Sequence, residues 1–274
     1  MTNISLNLSG KIPNELVENL RLTVEVIEDL QISYFLIGAT ARDLILKFGY
    51  GIQTIRATKD IDFGIAVNSW NDYDTLKSAM IATNQFIDDR QPQRLRGIDK
   101  QTWIDIVPFG KIESPNGQIA WQATETVMTT HGFKEAFDSS VTVKIADDLN
   151  IKIVSLAGFV LLKFIAWSDR KNLKDLQDIF LVMREYLDAG NRERIYGIDN
   201  DLLNADFNND FASSEMLGRD IKILLTEDTK QIMAKIFANS EPIIIPLLRE
   251  RPFDDEFENR LEIMFERLKI GMFS

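Results

Sequence analysis

Hydrophobic and polar positions follow two different periods along this chain, and the period changes near residue 150. Before that point, short runs such as 34–37, 61–67 and 102–107 have the compact apolar composition or two-residue alternation of β-strands. After it, apolar residues recur every three or four positions, which is typical of amphipathic helices. The pattern predicts an α+β fold in which a small mixed β-sheet with flanking helices precedes a helical region.

The predicted elements divide the chain into two domains, residues 1–149 and 150–274. In the first, a helix is predicted over 16–30, strand and helix then alternate to about residue 84, and paired strands surround residues 94 and 105. Further strands are predicted over 119–127 and 141–145. The second domain has predicted helices over 155–167, 173–187, 213–225, 226–237 and 254–268, with a loop over 190–209.

Three acidic residues lie within or beside apolar strands of the first domain. Asp60 and Asp62 are two positions apart, so on a strand their side chains project from the same face. Asp105 lies in the apolar run 102–107. A buried carboxylate needs a counter-ion, and hard divalent cations such as Mg²⁺ prefer oxygen ligands. The three acids together predict a cation site, whereas a lone Asp-x-Asp is more often solvated strand-edge or turn chemistry.

A glycine joins the first predicted strand to a helix. Gly38 follows the apolar run 34–37, and the helix begins with Ala39 or Thr40 near its N-cap. Such a turn directs backbone N–H groups and the positive end of a helix toward one point, which suits a phosphate group. Taken alone, a glycine in this position is an ordinary turn, but beside a carboxylate cluster it predicts a triphosphate-binding turn.

The charge balance limits the class of partner. The chain has 274 residues, with 31 basic against 42 acidic side chains for a net charge of −11, which argues against extensive non-specific binding to nucleic acid. Four basic residues nevertheless precede the Asp105 strand, where they either guide a polyanionic acceptor or balance the acids Asp88, Asp89 and Asp99 beside them. These four are Arg90, Arg94, Arg96 and Lys100.

Some chemistries are excluded by composition. The chain has no cysteine, so disulfides and thiolate metal sites are ruled out, and its one histidine, His131, lies in a polar turn. No run approaches the ~18 apolar residues of a membrane span, and the first ten residues lack a signal-peptide pattern. We therefore expect a cytoplasmic protein with no membrane partner.

Three segments together resemble a known superfamily. They are LIGATARD at 36–43, RATKDIDF at 56–63 and WIDIVPFG at 103–110. The set resembles the DNA polymerase β-type nucleotidyltransferases and, within them, the AbiEii/AbiGii toxin-type nucleotidyltransferases, over roughly residues 34–180. One departure is Ala39, where many relatives carry glycine or serine, so a side-chain contact to phosphate falls to Thr40 or is absent.

The resemblance implies transfer of a nucleoside monophosphate from a nucleoside triphosphate (NTP) to an acceptor hydroxyl, with two Mg²⁺ ions. Asp60 and Asp62 would hold both ions, and Asp105 would ligate the ion nearer the acceptor and help deprotonate its hydroxyl. The NTP would be bound by a set of residues from both domains, with the helical domain closing the cleft. That set is Gly38, Ala39, Thr40, Arg42, Lys163, Arg170 and Lys174.

Lys163 and three nearby aspartates of the helical domain have structural alternatives. Lys163 lies one helical step from apolar neighbours, so its stem could cover the core while its amine reaches water. By the resemblance it contacts the nucleotide phosphates. Asp169, Asp175 and Asp178 would support it in a polar network, but acids near helix starts are commonly just solvated.

Three functional hypotheses remain open on the sequence. The first is a toxin that modifies RNA, such as the 3′ end of tRNA, and is restrained by an antitoxin protein. The second transfers a nucleotide to a small molecule or a protein hydroxyl. The third is a catalytically silent binding module, which the intact Asp60, Asp62 and Asp105 argue against. The 38–43 segment also resembles tRNA CCA-adding enzymes, but no Glu-Asp-x-x-Arg element follows it.

Overall fold

Packing divides the chain into two compact units, residues 1–155 and 156–274. The structure is a computed structural model, and it describes residues 6–54, 58, 60–99, 101–121, 124–204, 207–238, 241–250 and 254–274. Strands occur in the described part of the first unit and helices make up most of the second.

The first unit is built on a mixed sheet. The strands in chain order are β1 Ser33–Ile37, β2 Asp60–Val67, β3 Phe86–Asp88, β4 Arg94–Gly97, β5 Trp103–Gly110, β6 Gln118–Trp121, β7 Thr126–Thr129, β8 Val141–Ala146 and β9 Leu149–Ile153. Seven of them form one sheet in the order β3-β4-β5-β2-β1-β9-β8, and β6 and β7 form a separate hairpin.

Strand β2 lies near the middle of this sheet and is paired on both sides. It runs antiparallel to β1 and parallel to β5, while β4 runs antiparallel to β5. Phe63 and Ile65 of β2 and Ile104 of β5 are almost fully buried. Because side chains alternate between faces, these apolar positions fix which residues of each strand point into the core.

Among the described residues of the first unit, four α-helices flank the sheet: α1 Asn14–Asp29, α2 Gly38–Asp43, α3 Trp70–Ala82 and α4 Phe133–Asp138. Helix α1 buries Leu20, Val24 and Ile27, which recur at the spacing of one helical face. Helix α2 starts directly after β1 and continues into a π-helical segment, Leu44–Gly49. The direct β1–α2 connection leaves only Gly38 and its neighbours to make the turn.

The second unit is helical. Its helices are α5 Leu156–Arg170, α6 Leu173–Glu185, α7 Asn209–Leu224, α8 Glu227–Phe237, α9 Glu241–Leu248 and α10 Asp255–Phe273. Helices α7 and α10 cross at Gly218 and Gly271, where an added Cβ would lie 2.2 Å and 2.1 Å from main-chain oxygens of the facing helix. No helix in the described residues has both the length and the apolar character needed to cross a bilayer.

The α+β architecture predicted from the sequence is confirmed, and the differences are local. The strand predicted over 119–127 is instead the β6–β7 hairpin, with residues 122 and 123 outside the described chain. The loop predicted over 190–209 contains the 3₁₀ turns Arg192–Tyr196 and Asn200–Leu202, and residues 205 and 206 are not described. Helix α9 was not predicted, because its sequence EPIIIPLL is apolar without a period and contains Pro246.

Candidate active site

The three predicted carboxylates lie on two adjacent strands. Asp62 of β2 is directly opposite Asp105 of β5, and Asp60 is opposite Trp103. Neighbouring strands are about 4.8 Å apart, and residues two apart share a face. On the other side of β2, Ile37 is opposite Asp62, so the end of β1 that leads into Gly38 is also beside this carboxylate. The sheet register therefore brings Asp60, Asp62, Asp105 and the β1–α2 turn together.

These carboxylates differ in exposure. Asp105 is buried, Asp62 is half-buried, and the Asp60 side chain is 45% exposed because Asp60 is the first residue of its strand. The expectation that all three carboxylates are buried is therefore right for Asp105 and wrong for Asp60 and Asp62. The other two side chains are partly exposed to solvent.

Gly38 makes the close approach of the turn to Asp62. Its φ is +70°, and an added Cβ would lie 2.1 Å from Asp62 Oδ2 and 2.8 Å from Asp62 Cγ. Both the left-handed backbone and the contact with the carboxylate require a residue without a side chain. The predicted phosphate-binding turn is thus packed directly against a predicted metal ligand.

Thr40 links the turn to the strand that carries the carboxylates. It is buried, and its hydroxyl donates a hydrogen bond of 2.7 Å to the main-chain carbonyl of Asp60. A threonine hydroxyl has one proton, so this bond leaves only its lone pairs for another partner. Thr40 had been a candidate donor to phosphate; its proton here is directed to Asp60, which favours a role in positioning that residue.

Arg42, another predicted nucleotide-binding residue, lies in the interior. Its side chain has no exposed surface, and Nε and one terminal nitrogen are 2.8 Å and 2.6 Å from Asp43 Oδ1. Burial raises the pKa of the Asp43 carboxyl, and the Arg42 charge opposes that shift. Nucleotide binding by Arg42 stays a prediction, and in this conformation the guanidinium is hydrogen-bonded to Asp43, the residue before the π-helical segment.

Arg94 of β4 forms a bidentate contact with the carboxylate cluster. Directly opposite Asp105, it donates from Nε and a terminal nitrogen to the two carboxylate oxygens at 2.7 Å and 2.6 Å. The same guanidinium is 3.7 Å from Asp60 Oδ2. The hydrogen bonds to Asp105, with the charges of Asp60 and Asp62, raise the pKa of Arg94. One cation of the protein therefore lies among all three acids.

Asp88 and Asp99, the acids that the neighbouring basic residues were expected to balance, have other partners. Asp88 is paired with Lys77 at 2.6 Å, and the Asp99 carboxylate accepts hydrogen bonds from Gln101 and Thr102. Lys100 lies outside the described residues. The alternation Arg94-Leu95-Arg96, with Leu95 buried, was the sequence signal that both arginines face away from the core.

The chemistry of the donors fits a hard divalent cation, because carboxylate oxygens are the ligands that Mg²⁺ prefers. Asp60 and Asp62 would hold the ion. Asp105 has both oxygens on Arg94, and within the described residues no three acidic or histidine side chains converge as a metal site requires. The cluster thus supplies the ligand type that Mg²⁺ prefers, and Asp105 is engaged by an arginine.

Lys163 of the second unit lies in a buried ion-pair network. Its amine is 3.0 Å from Asp175 Oδ1 and 2.8 Å from Asp178 Oδ2, and both aspartates are 1% exposed. Arg170 donates two further hydrogen bonds to Asp175, at 2.7 Å and 2.6 Å. The solvated alternative for Asp175 and Asp178 is therefore wrong, and Lys163 reaches buried carboxylates rather than extending into water.

The network has an electrostatic signature. Burial acts to raise the pKa of Asp175, but the hydrogen bonds from Arg170 and the charge of Lys163 hold it below its ordinary value. Lys174 is exposed in the first turn of α6, where its N–H is capped by Asn172. The roles of Lys163, Arg170 and Lys174 in nucleotide binding stay predictions.

The family comparison decides the identity. A family model described as the nucleotidyl transferase AbiEii toxin of type IV toxin–antitoxin systems matches residues 24–269. The chain belongs to the AbiEii family. It is a nucleotidyltransferase, as the resemblance of residues 34–180 implied. No curated protein matches it.

Several solved structures are distantly similar. The antibiotic-resistance factor ANT(2'')-Ia matches with 14% identity and a TM-score of 0.41, over 69% of this chain and 98% of that one. An antigenic nucleotidyltransferase-like protein from Paracoccidioides brasiliensis matches with 16% identity and a TM-score of 0.38, over 67% and 88%. The Thermotoga maritima CCA-adding enzyme complexed with tRNA matches with 10% identity and a TM-score of 0.28, over 97% and 81%.

Proposed function

We propose that this nucleotidyltransferase moves a nucleoside monophosphate from an NTP to an RNA hydroxyl in a Mg²⁺-dependent reaction, and that an antitoxin restrains it. The observation that carries the proposal is the register of Asp62 and Asp105 beside the Gly38 turn. It supports a phosphate site and a cation site in contact with each other, which is the arrangement that phosphoryl transfer needs.

In this scheme the acceptor oxygen attacks the α-phosphorus, the bond from that phosphorus to the bridging oxygen breaks, and pyrophosphate leaves. The Gly38 turn holds the triphosphate, and Asp60 and Asp62 would hold Mg²⁺, which would neutralise phosphate charge when bound. Asp105 accepts the proton from the attacking hydroxyl. Thr40 keeps the main chain of Asp60 in place by its hydrogen bond.

Charge and family both bear on the nature of the acceptor. Members of a toxin family act on components that a cell needs, and RNA 3′ hydroxyls, including those of tRNA, are suitable acceptors. A chain of net charge −11 has no net attraction for the many phosphates of a long duplex. We therefore infer that RNA is held near its end, with a shallow dependence of binding on salt.

The deciding experiment is a transfer assay. The purified chain is incubated with each α-labelled NTP, Mg²⁺ and either total tRNA or a panel of small-molecule and protein acceptors, with Asp62→Asn as control. We expect label on tRNA with the parent and none with the control. Label found only on a small molecule or a protein would show that RNA is not the acceptor. Absence of transfer to any acceptor would favour a silent binding module.

A further inference from the structure

The Arg94–Asp105 pair occupies the carboxylate that the proposed reaction needs free. Both oxygens of Asp105 accept hydrogen bonds from one guanidinium, in the bidentate geometry that is strongest for arginine. A cation bound to Asp105 and a proton taken up by it would use the same oxygens. The contact with Arg94 and the function of Asp105 therefore compete for the same two oxygens.

The surroundings explain why Arg94 lies there. Three carboxylates on neighbouring strands repel one another, and Arg94 is within 2.6 Å of Asp105 and 3.7 Å of Asp60. An incoming divalent cation would supply the same compensation with twice the charge. The Arg94 side chain is 22% exposed, so its end has access to solvent when it leaves the carboxylate.

We propose that Arg94 is the resident counter-ion of Asp105 and competes with the divalent cation for it, so that Asp105 enters the metal site only when Arg94 is displaced. This rests on the proposed function, since it takes Asp60, Asp62 and Asp105 as cation ligands. It makes Arg94 a positioning residue that acts through Asp105.

Arg96 provides a matched control. It lies two residues along the same strand and on the same face, opposite Trp103, so it carries the same charge on the same side of the sheet. In the described part of the chain it forms no ion pair, and its Nε has no hydrogen-bond partner. A general electrostatic effect would appear on neutralising either arginine, whereas competition for Asp105 would appear with Arg94 alone.

The test measures binding of Mn²⁺ without nucleotide, from the electron paramagnetic resonance signal of the free ion. We expect Arg94→Gln to tighten binding by about tenfold, which corresponds to 1.4 kcal/mol, and Arg96→Gln to change it much less. Asp105→Asn should have little effect in the parent and should cancel the gain in the Arg94→Gln background. Arg94→Lys keeps the charge but not the planar guanidinium, so its Mn²⁺ affinity should lie between those of the parent and Arg94→Gln.

Equal Mn²⁺ affinity in Arg94→Gln and Arg96→Gln would overturn the proposal, as would a gain that survives Asp105→Asn. If Arg94→Gln fails to fold, Arg94→Lys tests the proposal instead. Mn²⁺ binding by Arg94→Lys that is no tighter than in the parent would overturn the proposal. Measuring NTP binding distinguishes failure of the Arg94 proposal from failure of the proposed function. If the parent binds NTP with Mn²⁺ and the Arg94 variants have the same Mn²⁺ affinity as the parent, only the role of Arg94 is refuted. If neither the parent nor any variant binds Mn²⁺ or NTP, the proposed function is refuted too.

Discussion

Gly38 and Asp62 are in such close contact that a single methyl group at residue 38 would overlap the carboxylate, 2.1 Å from Oδ2. Gly38→Ala therefore has to displace Asp62 as well as strain a backbone with φ of +70°. We expect Mg²⁺-dependent NTP affinity, measured by calorimetry, to fall by at least about tenfold, or 1.4 kcal/mol.

Gly51→Ala is the matched control for that variant. Gly51 has a φ of +71° but no atom within 4 Å of an added Cβ, so it carries the backbone strain without the overlap. We expect it to lose about 1–2 kcal/mol of stability at most and to bind NTP like the parent. Equal loss of NTP affinity in both variants would show that the Gly38–Asp62 contact is not what matters.

Asp62 and Asp105 should separate binding from catalysis. Asp62→Asn removes a charge while keeping shape, so Mg²⁺-dependent NTP binding should be abolished. Asp105→Asn should keep NTP binding but slow transfer by about 10²–10⁴-fold, the range for losing a general base. Calorimetric titration and single-turnover assays measure the two effects, and an NTP-binding loss in Asp105→Asn as large as that in Asp62→Asn would refute the division.

Lys163→Ala should destabilise the fold, because it leaves Asp175 and Asp178 buried with less compensation. Removing one partner of a buried ion pair costs about 3–5 kcal/mol, and Arg170 retained on Asp175 places the expected value at the lower end. Urea unfolding measures it. The surface pair Lys134–Asp138 is the control, and Lys134→Ala should change the free energy of unfolding by less than about 1 kcal/mol.

The same Lys163 variant tests its predicted contact with phosphate. Under conditions where parent and variant are both folded, loss of a hydrogen bond to a charged group should weaken NTP binding by about 1.5–3 kcal/mol. Unchanged NTP affinity with lowered stability would assign Lys163 to the Asp175–Asp178 network alone.

Stability should depend on pH through Asp175. Its pKa in the folded protein is below the ordinary value, so its stabilising contribution is complete above the unfolded pKa of about 3.9 and is lost as pH falls through the folded pKa. Below about pH 4, the free energy of unfolding of the parent should therefore fall more steeply than that of Asp175→Asn. Parallel pH profiles from chemical denaturation would contradict this.

The sequence predicted the parts of the site that depend on local pattern. The apolar alternation of β2 and β5 located Asp60, Asp62 and Asp105 on strands, and the glycine after β1 located the turn. The sequence could not single out Arg94 among four basic candidates, because its contact with Asp105 depends on the β4–β5 register, which no local pattern specifies. The burial of Arg42 was not foreseen, since arginine is almost never fully buried unless paired.

Strand β1 acquires its second neighbour from far along the chain. It pairs with β2 on one side and with β9 on the other, where Val154 N–H donates to the Leu36 carbonyl at 2.9 Å. During synthesis, the strand that leads into Gly38 therefore keeps an open edge until residues 149–154 have left the ribosome. We expect a truncated product ending before Leu149 to aggregate through that edge rather than to be active, so that interrupted translation yields no working enzyme.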